Sequence, residues 1–200
     1  MTDLTAPEPG TADATPVVRR AAPADAPVLA RIRVASWRAT YAGIVPAEVL
    51  AGLRPEPIEA RMSHRISEPG ELGMLVVEAP GEGVVGYASV GPSRDDLAPG
   101  VGEVYAIYLA PGALGRGLGR ALMERALADL VAAGYHAAVL WVLTANHPAR
   151  RFYEHEGFAL DGAVKMADFD GALTEEVRYR RSLPPVAPVT NSGPRVPSQP

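Results

Sequence analysis

The 200-residue sequence contains no cysteine, which excludes a disulfide framework, a thiol nucleophile and a cysteine-based zinc site. Its four histidines include no pair at metal-ligand spacing on an acidic helix, so we expect no metal. Lysine occurs once, at Lys165, against eighteen arginines, which we interpret as compositional bias.

The sequence also lacks an excess of basic residues and a long apolar run. A net charge of −4 argues against a nucleic-acid partner, because such proteins normally carry a basic stripe. No apolar run approaches the roughly twenty residues of a membrane span, and the start MTDLTAPEPGTADATP has neither a basic nor an apolar segment. We expect a cytoplasmic protein without membrane or nucleic-acid partners. The oligomeric state, including a homodimer, is left open.

Length and composition predict one domain between two tails. An apolar content of 48% is ample for a packed core. Residues 1–15 and 184–200 are rich in Pro, Ala, Thr, Ser and Gly and are predicted to be disordered, which leaves the domain at residues 16–183. Its periodicity predicts strands and helices that form an α/β fold with a mixed sheet covered by helices.

The element boundaries follow from the same patterns. A helix is predicted over about residues 23–40 and a charged helix over residues 56–68. Residues 91–102 are predicted to be a loop, residues 158–165 a strand, and residues 173–181 the last strand, after a turn at Asp170 and Gly171.

The stretch EVYAIYLAPGALGRGLGRAL, residues 103–122, predicts a strand, a glycine-rich turn and a helix. Gly115, Gly117 and Gly119 stand where the helix begins. The first turn of a helix has N–H groups without an intrahelical partner, and glycine lets them approach a phosphate. The junction is therefore predicted to bind a pyrophosphate.

Two better-known phosphate loops are excluded by spacing. A dinucleotide fingerprint would need Gly or Ala where Arg120 or Leu122 stands. A P-loop would need a Gly-Lys-Ser/Thr sequence, and the single lysine lies elsewhere. Arg116 and Arg120 add side-chain charge suited to phosphate on the same turn.

Two motifs together carry a family resemblance. They are L-x-P-x-x-x-G-x-G-x-G at residues 109–119 and N-x-x-A-x-x-F-Y-E-x-x-G-F at residues 146–158. The sequence resembles the GNAT superfamily of acyl-CoA-dependent N-acetyltransferases over about residues 17–181. The resemblance implies a sheet of about seven strands with four or five helices, and acetyl-CoA as co-substrate. Leu114 departs from the usual Gln or Arg of the loop, which removes one side-chain donor and keeps the backbone donors.

The glycine turn, the central strand and the second motif supply the predicted cofactor site. Asn146 is predicted to cap a helix, and the resemblance adds a compatible contact with pantetheine. Backbone N–H groups of the strand would stabilise the oxyanion of the transfer reaction. The predicted cofactor-binding residues are Ile107, Tyr108, Leu109, Gly115, Arg116, Gly117, Leu118, Gly119, Arg120 and Asn146.

Acetyl transfer to an amine requires a base for the amine and a proton for the departing thiolate. Glu103, at the mouth of the central strand, is the candidate base, and the alternative is an exposed strand-end charge. Tyr153, in the FYE sequence of the second motif, is the candidate acid, and the alternative is a core aromatic residue.

Trp37 and Tyr41 are four residues apart and share one helix face. They either fill the interface between helix and sheet or, as the resemblance implies, form a wall of the acceptor pocket. The first functional hypothesis is acetyl transfer to a primary amine of a small molecule or a protein in a ternary complex. The alternative is a non-catalytic module that binds and senses acyl-CoA, which Leu114 favours.

Overall fold

The computed structural model describes residues 15–68, 72–169 and 171–185. Nearly all of both predicted tails therefore lies outside the described residues. The strands are β1 Val17–Arg20, β2 Met74–Ala79, β3 Gly83–Pro92, β4 Val101–Leu109, β5 Ala137–Leu143, β6 Ala159–Phe169 and β7 Ala172–Ser182, and the helices are α1 Ala26–Thr40, α2 Ala47–Gly52, α3 Pro55–Ser67, α4 Leu118–Ala132 and α5 His147–His155.

Seven strands and five α-helices confirm the predicted fold within the described part of the chain. Three boundaries differ from the prediction. The first helix starts as a 3₁₀ turn, Pro23–Asp25, in which the Asp25 carboxylate accepts a hydrogen bond from the Ala22 N–H at 2.7 Å. Strands β3 and β4 each take residues from the predicted loop at 91–102, and β6 continues to Phe169 because it pairs with β7 as far as its turn.

The seven strands form one sheet in the order β1-β2-β3-β4-β5-β7-β6. All neighbours are antiparallel except β4 and β5, which run parallel. That parallel pairing covers only Val101, Gly102 and Glu103 against residues 137–139. The rest of β4 keeps its partner β3 on one side and pairs with no described strand on the other, so the sheet opens between β4 and β5.

The two faces of the sheet carry separate hydrophobic cores. Alternate residues of β2 show the division, because successive side chains of a strand point to opposite faces. Leu75 and Val77 pack with the apolar face of α4, whereas Met74 and Val76 pack with α1 and α3. Both faces of the sheet are thereby covered by helices, and the opening between β4 and β5 lies between the two layers. No helix among the described residues is long and apolar enough to cross a membrane.

Candidate active site

The opening between β4 and β5 contains a cavity of about 550 Å³. One end is lined by the glycine turn before α4 and by the inner side of α5. The other end is lined by α1 and by residues from β5, β6 and β7. We call these the glycine end and the aromatic end, after the residues that line them. The two ends meet along β4, whose residues 104–109 all line the cavity.

The backbone of the glycine end requires glycine at two positions. Gly115 and Gly117 have φ values of +74° and +77°, in the left-handed region that disfavours other residues. A Cβ atom at either position would meet no atom within 4 Å, so the space beside the turn is open. The two glycines, together with Gly119, line the cavity. The predicted close approach of a ligand to this backbone is geometrically available.

Helix α4 begins at this turn, and no side chain caps its amino end. The N–H groups of its first turn are therefore left to a ligand or solvent. Arg120 lines the cavity and pairs with Glu124 at 2.8 Å. Arg116 pairs with Glu82 at 2.6 Å and does not line the cavity, and the side chain of Leu118 is buried in the core.

The predicted strand residues of the cofactor site lie where β4 has lost its second partner. Ile107, Tyr108 and Leu109 pair with residues 86–88 of β3 on one side and face the cavity on the other. In an extended strand, alternate N–H and C=O groups point to opposite sides. The side of β4 away from β3 thus offers backbone donors and acceptors to a ligand in the cavity.

Helix α5 places the second motif against the same space. Asn146 is buried, lines the cavity and accepts a hydrogen bond from the Ala149 N–H at 3.2 Å, which confirms the predicted cap. Tyr153 packs in the core against Phe152 and Phe158 and also lines the cavity. The catalytic and core interpretations of Tyr153 are therefore compatible. Burial raises the pKa of the Tyr153 phenol, which keeps it protonated near neutral pH.

Glu103 lies outside the cavity. Its side chain is 1% exposed, so the alternative interpretation as an exposed strand-end charge is wrong. The carboxylate accepts hydrogen bonds from the Arg94 backbone N–H at 2.8 Å and from the Arg94 guanidinium, whose Nε lies at 3.1 Å. Both carboxylate oxygens are thus occupied by one residue of the β3–β4 loop. In this position Glu103 anchors that loop to the sheet, and its role as a base stays a prediction without support from the geometry.

The aromatic end contains both predicted acceptor residues. The rings of Trp37 and Tyr41 lie 5.1 Å apart in an edge-to-face arrangement, and Phe169 lies 5.7 Å from Trp37. All three line the cavity. Burial, together with a hydrogen bond to the Tyr108 hydroxyl, raises the pKa of Tyr41. The buried indole N–H of Trp37 has no hydrogen-bond partner among the described residues.

Sequence reasoning missed three residues of this end: Trp141, Phe169 and Glu176. Trp141 stands in a strand of otherwise apolar residues that the sequence places at the centre of a sheet, and its indole Nε1 donates to Asp95 at 2.9 Å. Glu176 stands in the charged sequence LTEEVRYRR, where one acidic residue looks like its neighbours. No local pattern distinguishes these residues, since they come together only through the pairing of β5, β7 and β6.

Comparison with known proteins places this geometry in a family. A model described as the acetyltransferase (GNAT) family matches residues 35–158. The chain is 34% identical over 137 residues to "Uncharacterized N-acetyltransferase YuaI" of Bacillus subtilis, a match that covers 68% of this chain and 76% of that protein. It is 30% identical over 172 residues to "Probable N-acetyltransferase Rv2775" of Mycobacterium tuberculosis, with 84% and 95% covered.

Solved structures share the fold. One is the PaiA N-acetyltransferase from Thermoplasma acidophilum in complex with coenzyme A, which superposes with a TM-score of 0.67 at 20% identity over 84% of this chain and 99% of that one. The chain belongs to the GNAT acetyltransferase family. It is an N-acetyltransferase, which favours the enzyme over the non-catalytic alternative, and the primary amine as acceptor and the ternary complex stay predictions.

Proposed function

We propose that the protein transfers the acetyl group of acetyl-CoA to a primary amine, with the donor at the glycine end of the cavity and the acceptor at the aromatic end. The observation that carries this proposal is the uncapped amino end of α4, which opens into a cavity walled by the unpaired side of β4. Helix N–H groups suit the pyrophosphate, and a strand edge suits the amide-containing pantetheine arm. A cytoplasmic location stays a prediction.

The residues at the junction of the two ends can assist the transfer. The acceptor ammonium first releases one proton to solvent, and its neutral nitrogen attacks the thioester carbonyl carbon. The carbon–sulfur bond then breaks, and the nitrogen releases a second proton to solvent as the amide forms. Backbone N–H groups of residues 107–109 would stabilise the oxyanion formed in between. Tyr153 would give its phenolic proton to the departing thiolate and recover a proton from solvent. The observation that supports this role is that Tyr153 lines the cavity, and burial keeps its phenol protonated until the thiolate forms.

The cavity also limits where the proton of the amine can go. Two carboxylates line it, Glu156 from the end of α5 and Glu176 from β7. Glu156 lies at the glycine end, beside the predicted donor site. Glu176 lies at the aromatic end, where the acceptor would enter, so it is the carboxylate that an incoming amine would meet.

The donor assignment is tested by thermal shift and calorimetry with acetyl-CoA, since a ligand specific to the native state raises the melting temperature. Gly117→Val should abolish the shift, because a branched side chain would fill the open space beside the turn and oppose its positive φ. Gly134→Val is the matched control. Gly134 has a φ of +86° and open space at the other end of α4, outside the cavity. Loss of binding in both variants, or in neither, would contradict the assignment.

A further inference from the structure

An ammonium group lies beside two cavity residues of the aromatic end. Lys165 Nζ is 3.5 Å from Glu176 Oε2 and 4.0 Å from the centre of the Trp141 ring. Glu176 and Trp141 line the cavity, whereas Lys165 is not one of its lining residues. The lysine therefore contacts two lining residues at the rim of the cavity without lining the cavity itself. A carboxylate and an indole face are together a favourable site for a cation.

The strand register explains why these groups meet. Lys165 and Glu176 are direct partners across β6 and β7, and Glu176 is opposite Leu143 on β5. Direct cross-strand partners share a face of the sheet, and Trp141, two residues before Leu143, shares it as well. The side chains of Lys165, Glu176 and Trp141 thus form one row across three strands. The row ends at the cavity.

The three members differ in how firmly they are held: Trp141 is fixed by a hydrogen bond, Glu176 is mostly buried, and Lys165 is the most exposed. Trp141 is fixed by its hydrogen bond to Asp95, which also binds Arg178 at 2.8 Å. The side chain of Glu176 is 19% exposed and lies on β7, which is paired with β5 on one side and β6 on the other. Lys165 is 41% exposed on the edge strand β6, and its long stem can move into solvent with little loss of energy. The lysine is the replaceable member of the row.

The charge of Glu176 is compensated by Lys165 and, more weakly, by the charge of Arg94. Lys165 is its one ion-pair partner among the described residues. Arginines stack on the rings of this end from outside the cavity. Arg33 lies 5.0 Å from Trp37 and Arg94 4.7 Å from Tyr105, and Arg178 lies 5.4 Å from the Trp141 ring itself. Of the residues that line this end, Glu176 is the charged one. The end is therefore built for a cation and offers no basic side chain to a carboxylate.

We propose that Glu176 and Trp141 bind the ammonium group of the acceptor, and that Lys165 occupies this subsite in the free protein until the acceptor displaces it. This inference rests on the proposed function, which assigns the acceptor to the aromatic end. It also restricts the class of amines that can serve as acceptor. The substrate is a cationic amine with an apolar or aromatic body and without a carboxylate beside its amino group. The aromatic side chains Trp37, Tyr41 and Phe169 contact that body.

The single lysine makes the displacement directly measurable. Reductive methylation with ¹³C-formaldehyde labels Lys165 and the amino terminus, and a Lys165→Arg sample identifies which resonance belongs to which group. In the free protein the Trp141 ring should shift the Lys165 methyl resonance upfield. Trp141→Leu should return that resonance to the position found for a solvated lysine.

The probe pair is 2-phenylethylamine and L-phenylalanine, which share a body and differ by one carboxylate. Titration with 2-phenylethylamine should move the Lys165 resonance towards the solvated position, and L-phenylalanine should leave it in place. Glu176→Gln should weaken the apparent affinity for 2-phenylethylamine by about tenfold. Lys165→Met should strengthen it about threefold to tenfold by removing the competing cation, and Lys165→Arg should not. Affinities of these unlabelled variants are measured by calorimetry.

The outcomes separate this inference from the proposed function. A second cationic probe, 1,5-diaminopentane, is titrated in parallel. If neither amine moves the Lys165 resonance at millimolar concentration, the subsite is overturned. An equal response to L-phenylalanine overturns it as well. Binding of acetyl-CoA by calorimetry in the same samples tests the donor site independently. Displacement of Lys165 without acetyl-CoA binding would therefore overturn the proposed function and keep the cation subsite, and the reverse result would keep the function alone.

Discussion

The two ends of the cavity are built in different ways. The glycine end comes from two continuous segments, the turn at residues 115–120, where glycine leaves the backbone open to the cavity, and the inner side of α5. The aromatic end is made of side chains from α1, β5, β6 and β7, which lie up to 139 positions apart between Trp37 and Glu176. A backbone site constrains its own sequence closely, since left-handed φ values admit few residues. A site formed by side chains from separate elements leaves no local sequence pattern, because each residue acquires its role only from partners far away in the chain.

This difference predicts that a change at the junction of the two ends affects every acceptor, whereas a change at the aromatic end affects acceptors selectively. The donor half would serve the common co-substrate and the acceptor half the particular amine. The variants below break or sharpen that division, and they are ordered by the size of the expected effect.

The largest effect is expected for Tyr153→Phe. The substitution keeps the ring and its packing against Phe158 and removes the proton, so kcat should fall about 10²-fold for every accepted amine. The Kd of acetyl-CoA should stay unchanged. Because burial raises the pKa of Tyr153, the wild-type rate should show no loss from phenol ionisation up to about pH 10, the ordinary value for tyrosine. A kcat within threefold of wild type (roughly 0.7 kcal/mol) would make Tyr153 a packing residue.

The same division explains how much the sequence could predict. The glycine turn, Asn146 and Tyr153 were found because their motifs are local and their spacing has a direct physical meaning. Trp37 and Tyr41, singled out from helix periodicity and the family resemblance, line the cavity, and their contact with an acceptor stays a prediction. Trp141, Phe169 and Glu176 could not be found, because their meeting depends on the β5-β7-β6 order and on register.

Glu103 shows the converse limit. Its position at the start of the central strand is as predicted, but its environment is set by Arg94, which reaches it from the β3–β4 loop. The sequence places these residues nine positions apart and gives no sign that the intervening loop returns to the strand. The lone lysine was interpreted as compositional bias, and its contacts with Glu176 and Trp141 likewise exist only through the fold.

Glu103→Gln is expected to lower the stability of the fold, because Glu103 lies on β4 outside both ends of the cavity. Glu103 is buried but its partner Arg94 is 60% exposed, so removing the charge should lower the free energy of unfolding by about 1 kcal/mol, measured by urea denaturation. The kcat with saturating amine and acetyl-CoA should change less than about threefold, because Glu103 does not line the cavity. A hundred-fold loss of rate (about 2.7 kcal/mol) at unchanged stability would instead restore its role as a base.

Phe169→Leu should have a selective effect of similar size. The ring contacts Trp37 at the aromatic end and is absent from the glycine end. We expect KM for an aromatic amine to rise about fivefold, a loss of about 1 kcal/mol that is typical of an aromatic contact, with KM for acetyl-CoA unchanged. Leu173→Ala, at an exposed position of β7, is the control that should alter neither constant. A parallel rise of both KM values would show that the two ends are not separable.

The smallest effect is expected for Asn146, where capping and ligand contact can be separated by choice of substituent. The side-chain oxygen accepts from the Ala149 N–H, so Asn146→Ala should cost about 1 kcal/mol of stability. Asn146→Ser retains a capping oxygen and should keep most of that stability. If the side chain also contacts the donor, the serine variant should still bind acetyl-CoA more weakly in calorimetry, because the hydroxyl is shorter and lacks the amide N–H. Wild-type affinity in a stable serine variant would limit Asn146 to the helix cap, and the glycine end would then bind its ligand through backbone groups and Arg120.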